Sequence, residues 1–98
     1  MLGVAEQHVP GQVPDWTVAE VEGVKRLRRE FRFRNFRAAL DFAVRVGELA
    51  EREQHHPDLH VAWGRVVVET WTHKIHGLHR NHFILAAKAD AIYAERPA

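Results

Sequence analysis

Histidine is the residue type whose number and placement most clearly suggest chemistry in this chain. Eight histidines occur among 98 residues, and all but His8 fall between His55 and His82. Histidine has an unperturbed pKa close to neutral pH, so a group of imidazoles can donate one proton and accept another under ordinary conditions. The histidines are dispersed among hydrophobic residues, which distinguishes them from an expression tag.

The adjacent histidines His55 and His56 lie in the segment Glu51–Pro57, and His73 follows a predicted strand. Both places are ends of regular elements, where a rigid scaffold commonly holds catalytic groups. Successive side chains of an extended segment point to opposite sides. We therefore predict that His55 and His56 bracket a flat ligand or perform different tasks.

Three interpretations of the histidines remain open at this level, and the first is acid–base catalysis. The second is a metal site, since four histidines recur at every third position: His73, His76, His79 and His82. Zinc needs ligands that converge on one point, and a three-residue step across Gly77 into a helix does not obviously converge, so we expect no metal. The third is a surface histidine without a role, which we favour for His8, His60, His76 and His79.

Composition excludes several functional classes. The chain has no cysteine, which rules out disulfides and thiolate nucleophiles and fits a reducing compartment such as the cytoplasm. No apolar stretch approaches the roughly 20 residues that span a bilayer, and residues 1–20 lack the pattern of a signal peptide. The formal net charge is +1, and the basic stretch Lys25–Arg37 has the pattern of an exposed strand face. We therefore expect no membrane and no direct nucleic-acid partner.

Hydrophobic periodicity predicts four strands and two helices. Period-two or β-branched segments predict strands at residues 16–20, 24–34, 59–63 and 65–72. Apolar spacings of three and four predict one helix from the N-cap Asn35 to Gln54 and another from His79 to Ala94. The first helix is predicted to bury Phe36, Leu40, Ala43, Val46 and Ala50. The second is predicted to bury Leu78, His82, Leu85, Ala89 and Ile92.

The order of these elements, β-β-α-β-β-α, predicts a two-layer α+β domain whose antiparallel sheet is covered on one face by helices. We place this single domain at residues 16–98. The preceding arm, residues 1–15, contains two prolines and two glycines that disfavour a long helix. Gly47, inside the first helix, predicts close packing at that point. Because so small a domain buries a limited core, oligomerisation would add stability.

The joint spacing of several residues resembles the pterin-4a-carbinolamine dehydratase family. The pattern is Glu51, three residues, the run His55-His56-Pro57, five residues, Trp63, and then nine residues to His73. The surroundings are similar too, from Trp16 in the first strand to the run Phe83–Lys88 in the last helix. A lone His-His-Pro would be a weak indication, whereas the joint pattern is specific.

The resemblance implies dehydration of a 4a-hydroxytetrahydropterin to the quinonoid dihydropterin, for tetrahydropterin recycling, without a metal or an organic cofactor. It implies that the catalytic residues are His55, His56 and His73. We expect His56 and His73 to handle protons and His55 to bind and polarise the departing hydroxyl. Glu51 would orient an imidazole or stabilise its charged form. The supporting or substrate-binding positions are Glu51, Pro57, Trp63, Thr72 and His82.

Quaternary structure is also implied, because members of this family are typically dimers or tetramers. The first predicted helix carries small residues that would let helices of two copies approach closely: Ala38, Ala39, Ala43, Gly47 and Ala50. We therefore expect a homo-oligomer.

The chain departs from the family pattern at one position. After Gly77-Leu78 the family usually has Ser or Thr, two residues and then Asp, whereas here His82 stands where the acid is expected. The change removes a helix cap and places a histidine near a helix N-terminus, where the dipole disfavours a cation. We predict a dehydratase with a lowered rate or an altered pH profile. The alternative is a catalytically weakened member that acts as a binding or dimerisation protein.

Overall fold

The structure is a computed structural model that describes residues 7–8, 13–71 and 80–95. Seven elements follow one another in these residues: β1 Gln7–His8, β2 Thr17–Val21, β3 Val24–Arg32, α1 Phe36–Glu53, β4 Asp58–Ala62, β5 Arg65–Thr70 and α2 Arg80–Ala94. Within this part of the chain, neither helix combines the length and the apolar character needed to cross a bilayer.

The strands form one antiparallel sheet in the order β1-β2-β3-β5-β4. Helix α1 packs on β4, β5 and α2, and α2 also contacts β3. The predicted α+β architecture, β-β-α-β-β-α, is thereby confirmed, with element ends that differ from the predicted ones by one or two residues. The additional strand β1 lies in the predicted arm, where two residues are too few to produce a recognisable period.

Two glycine turns connect the hairpins. Between β2 and β3, Glu22 and Gly23 both have positive φ angles, of 53° and 81°, which is the geometry of the tight turns that favour glycine. Between β4 and β5, Gly64 has φ of 73°, and a Cβ there would lie 3.0 Å from the backbone oxygen of Phe33. The amide of Phe33 donates to the carbonyl of Gly64 at 2.9 Å, so glycine allows β3 and this hairpin to approach closely.

The core lies between the helices and the inner face of the sheet. Leu27 pairs with Thr70 and Phe31 pairs with Val66 across β3 and β5, and all four side chains are fully buried. The Phe31 ring lies 4.7 Å from the ring of Phe42 in α1, measured between centroids. Aromatic packing therefore joins the sheet directly to α1.

The first helix begins and ends as predicted, and its buried face agrees with the prediction in part. Asn35 caps it by accepting a hydrogen bond from the Ala38 amide at 2.8 Å. Phe36, however, is 44% exposed, whereas Ala39 and Phe42 are buried. Ala43, Val46 and Ala50 are buried as predicted, but at the start of the helix the buried side is that of Ala39 and Phe42, because each residue turns a helix by about 100° and the tertiary contact selects the face. Within the chain nothing packs closely on Gly47, since an added Cβ would meet no atom within 4 Å.

The basic stretch is not simply an exposed strand face. Arg29 points to the inner side, where its guanidinium bonds Asp90 of α2 at 2.7 Å. The indole of Trp16 donates to the same Asp90 oxygen at 2.8 Å. A single carboxylate therefore holds α2 against the start of β2 and the middle of β3. The pattern of alternating cations did not predict this contact.

Candidate active site

Three buried or half-buried polar side chains meet on the inner side of the sheet. The Nε2 atom of His55 lies 2.8 Å from Thr70 Oγ1 and 2.8 Å from His82 Nδ1. Thr70 Oγ1 in turn lies 2.7 Å from His82 Nδ1. The two imidazoles meet edge to face, with centroids 4.4 Å apart. Because Thr70 and His82 are fully buried, these groups hydrogen-bond one another, as buried polar groups must.

The end of α1 directs His55 into this cluster. Gln54 adopts a left-handed conformation with φ of 55°, which ends the helix and reverses the chain. The His55 amide then donates to the carbonyl of Ala50 at 3.1 Å. Pro57 follows before β4, where its ring prevents helical geometry at His56. The turn directs His55 away from the helix, and the packing of α1 on β5 brings it beside the sheet.

Thr70 and His82 reach the cluster through the periods of their own elements. Val66, Val68 and Thr70 alternate on β5, and all three are fully buried, as expected for one face of a strand. His82 lies near the start of α2 and shares its buried stripe with Leu85 and Ala89. The predicted inward orientation of His82 is confirmed. Thr70 was not selected as a functional residue, although a polar side chain on an otherwise apolar strand face was a usable signal.

His56 occupies a different environment from its neighbour. Its Nε2 atom lies 2.6 Å from Glu51 Oε2, and the two side chains are 60% and 76% exposed. Since a carboxylate only accepts hydrogen bonds, His56 donates through Nε2, and in the neutral ring Nδ1 retains the lone pair. This contact agrees with the prediction that Glu51 orients an imidazole. The imidazole that Glu51 contacts is that of His56.

The remaining predicted positions are not all brought together. Trp63 is 72% exposed and lies at the turn between β4 and β5, whereas Asp58 is at the other end of β4. At about 3.3 Å per residue, five residues separate these ends by about 17 Å. Within one chain, Trp63 therefore lies far from the His55 cluster. Thr72 and His73 lie outside the described residues.

Comparison with known proteins supports an assignment for this arrangement. The family model described as pterin 4 alpha carbinolamine dehydratase matches residues 4–92. The chain belongs to this family. The match covers nearly the whole chain, so it includes every element that forms the histidine cluster.

Relatives of this pterin carbinolamine dehydratase family share about half of their residues with the chain. A protein of Syntrophotalea carbinolica is 59% identical over 81 residues, which cover 83% of this chain and 72% of the relative. A protein of Gloeobacter violaceus is 56% identical over 92 residues, which cover 94% of this chain and 78% of the relative. Both carry the provisional name pterin-4-alpha-carbinolamine dehydratase.

A solved structure shares the fold. The crystal structure of a protein from Brucella melitensis, described as a transcriptional coactivator/pterin dehydratase, superposes with a TM-score of 0.72 at 31% sequence identity. The superposition covers 83% of this chain and 84% of that chain. The two-layer α+β domain is therefore the fold of a dehydratase family member.

A second histidine-containing cluster lies on the outer face of the sheet. One ligand atom from each of Asp58, His60 and Glu69 lies within 4.8 Å of the other two, and such side chains can bind zinc. The Glu69 carboxylate is, however, already within 3.4 Å of Arg26 and 3.3 Å of Arg28. Two guanidinium groups at this distance oppose a further cation, so we interpret the cluster as an ion-pair network.

A cavity of about 740 Å³ lies away from both clusters, beside the start of α1. Its lining contains no histidine and combines aromatic side chains, Phe33 and Tyr93 among them, with four arginines. Three of these arginines have carboxylate partners: Arg32 with Glu30, Arg37 with Asp41 and Arg45 with Glu95. We therefore do not place the proton-transfer site in this cavity.

Proposed function

We propose that the chain is a 4a-hydroxytetrahydropterin dehydratase that uses histidine acid–base catalysis. The observation that carries the proposal is that a member of this family has two imidazoles, on consecutive residues, in different environments. His55 is hydrogen-bonded in the buried cluster, and His56 is exposed and paired with a carboxylate. Two imidazoles in different environments suit a reaction with two proton transfers, one that delivers a proton and one that removes a proton.

The reaction requires two proton movements. The bond between C4a and its hydroxyl breaks, and the leaving oxygen takes up a proton to become water. The proton on N5 is removed, and the electrons of that N–H bond form the C4a=N5 double bond of the quinonoid dihydropterin. One proton is taken up and one is released, so the reaction needs no oxidant or reductant. The proposal likewise needs no metal ion and no organic cofactor.

His56 suits the role of proton acceptor. Its Nε2–H is engaged by Glu51 at 2.6 Å, which leaves Nδ1 as the basic nitrogen of the neutral ring. When Nδ1 takes a proton, the neighbouring carboxylate stabilises the resulting imidazolium. We assign the N5 proton to His56, and a second proton-transfer role to His73 on the strength of the resemblance alone.

His55 suits the role of holding the departing hydroxyl. Because Nε2 contacts Thr70 and His82, the ring is held in one orientation, and we assign the departing hydroxyl to this imidazole. The cluster also excludes water around His82 and Thr70, which are fully buried. A positioned imidazole contributes on the order of 100-fold to 10,000-fold to such a step.

Turnover of chemically generated 4a-hydroxytetrahydropterin tests the proposal. We expect wild-type protein to accelerate dehydration well above the uncatalysed rate and His56→Ala to lose at least about 100-fold of that acceleration. His60→Ala is a matched control, since His60 is similarly exposed at 61% and lies outside the proposed site. A wild-type rate equal to the uncatalysed rate would contradict the proposal.

A binding role is the second candidate, and one observation favours it. The structural neighbour from Brucella melitensis is described as a transcriptional coactivator as well as a pterin dehydratase. If the chain binds a pterin product without turning over the substrate, the binding role is favoured over catalysis. Isothermal titration with a dihydropterin, run beside the turnover assay, separates the two.

Assembly and location follow from the same proposal. We propose a homo-oligomer, a dimer or tetramer, because two small residues of α1, Ala38 and Gly47, remain partly exposed, and an added Cβ at Gly47 would meet nothing within the chain. Multi-angle light scattering at micromolar concentration tests this, and a monomer mass would refute it. We also propose a cytoplasmic location, which suits a chain without cysteine.

A further inference from the structure

The cavity beside the start of α1 has an aromatic floor that is partly open to solvent. Its volume of about 740 Å³ lies within the range of small-molecule sites, roughly 300–1,000 Å³. The ring of Phe33 packs against those of Phe42 and Tyr93, with centroids 5.1 and 5.4 Å away. Phe33 and Tyr93 keep part of their surface exposed, so a flat apolar ligand that covers this floor would remove apolar area from water.

The rim of the same cavity is cationic. Its lining has one carboxylate, that of Asp41, and four guanidinium groups, those of Arg32, Arg34, Arg37 and Arg45. These residues give the lining a formal charge of +3, whereas the whole chain carries a formal net charge of +1. Charge of one sign concentrated around a concave surface raises the local concentration of ions of the other sign. The rim therefore favours an anionic ligand.

Two of these arginines are better able to bind an anion than the others. Arg32 and Arg45 are held by carboxylates at 2.6 and 2.7 Å. Arg34, by contrast, is exposed and has no ion-pair partner among the described residues. Arg37 lies 3.6 Å from Asp41, and the two side chains are 77% and 63% exposed, so this pair is weak. Guanidinium groups match the oxygens of a phosphate with paired hydrogen bonds.

We propose that this cavity binds the phosphate monoester of a flat heteroaromatic compound, of the class of a nucleoside monophosphate. The ring system lies on the aromatic floor, and the phosphate is bound by Arg34 and Arg37. A phosphate monoester carries roughly two negative charges at neutral pH and three acceptor oxygens, so it can accept from both guanidinium groups. No residue of the lining belongs to the histidine cluster, so this binding is independent of the proposed dehydratase activity.

Isothermal titration of the wild-type protein at low ionic strength tests both halves of the proposed ligand. We expect adenosine 5′-monophosphate and uridine 5′-monophosphate to bind with Kd below about 1 mM. Adenosine and inorganic phosphate should each bind at least about 10-fold more weakly, because the first lacks the anion and the second lacks the ring. No binding of either nucleotide would overturn the inference, and so would equal binding of adenosine or of inorganic phosphate.

An arginine variant tests the place of the phosphate. We expect Arg34→Gln to weaken the binding of adenosine 5′-monophosphate by at least about 10-fold, because charge-assisted hydrogen bonds are lost. Arg52→Gln is the matched control, since Arg52 is an exposed arginine near the other end of α1 and does not line the cavity. An equal loss in both variants would indicate binding by general charge attraction and would overturn the proposed site, as would no loss in either.

A variant with higher affinity gives a test that impaired folding cannot imitate. Asp41→Asn removes the carboxylate that pairs with Arg37 and repels a bound phosphate. We expect the Kd for adenosine 5′-monophosphate to fall by about 3-fold or more. Glu48→Gln, an exposed change on the same helix outside the cavity, should leave the Kd unchanged. An unchanged or weakened affinity in Asp41→Asn protein would overturn the placement of the phosphate beside Arg37.

Discussion

Two histidine-containing clusters lie on opposite faces of the same strand, one residue apart. Thr70 of β5 points inward and joins His55 and His82. Glu69 points outward and lies 3.8 Å from His60. Residue types that suit chemistry occur in both, so composition does not distinguish them.

Burial and charge distinguish the two clusters. The inner cluster includes two fully buried side chains, and its contacts join two imidazoles and a hydroxyl. In the outer cluster, Glu69 faces two arginines, and His60 is 61% exposed. Hydrogen bonds strengthen away from water, whereas a contact open to water, such as that of His60 with Glu69, contributes little. The difference shows that the face of β5 on which a cluster lies, more than its histidine content, determines whether an imidazole is held in a fixed orientation.

The largest effect should come from removing the central ring of the inner cluster. His55→Ala takes away the imidazole that contacts both Thr70 and His82, and we expect turnover to fall by about 100-fold or more. The assay is dehydration of 4a-hydroxytetrahydropterin, with circular dichroism to confirm folding. Full activity in folded His55→Ala protein would show that the inner cluster is purely structural.

Thr70→Val should produce the next largest effect, and it concerns stability. Valine keeps the shape but removes the hydroxyl that both imidazoles contact, so buried nitrogens lose a partner and unfolding becomes easier by about 1–3 kcal/mol. Urea denaturation measures this. Asp58→Asn, at an exposed position of the outer cluster, should cost no more than about 0.5 kcal/mol; equal losses from the two variants would remove the distinction between the faces.

Glu51→Gln tests an exposed pair that we assign to function. The pair with His56 is largely solvated, so we expect stability to change by less than about 1 kcal/mol. Turnover should nevertheless fall by about 10-fold, because glutamine orients the ring without stabilising its charged form. An unchanged rate, measured beside Glu48→Gln on the same helix, would show that the carboxylate has no part in proton transfer.

The smallest effect is expected at His60. His60→Ala should leave turnover unchanged and shift stability by no more than about 0.5 kcal/mol, as expected for an exposed surface position. Adding zinc should not raise the melting temperature of wild-type protein, since Arg26 and Arg28 already neutralise Glu69. Stabilisation by zinc that His60→Ala abolishes would identify the outer cluster as a metal site.

Much of the fold was predictable because it depends on local periods and caps. The Asn35 cap, the end of α1 before Pro57 and the inward position of His82 all follow from neighbouring residues and are confirmed. The burial of Ala39 and Phe42 at the start of α1 was not predicted, and neither was the contact of Asp90 with Trp16 and Arg29. These depend on partners up to 74 residues away in sequence, which no local pattern specifies.

The sequence by itself determined the family, the order of strands and helices, and the histidines at which chemistry is expected. Only the tertiary structure decided that Thr70 joins His55 to His82, that Glu51 pairs with His56, and that Trp63 lies at the far end of its hairpin. The physical reason is that hydrogen bonds are set by distances of about 3 Å between atoms. Such distances arise only when separate elements pack together, and the periods along one strand or helix do not contain them.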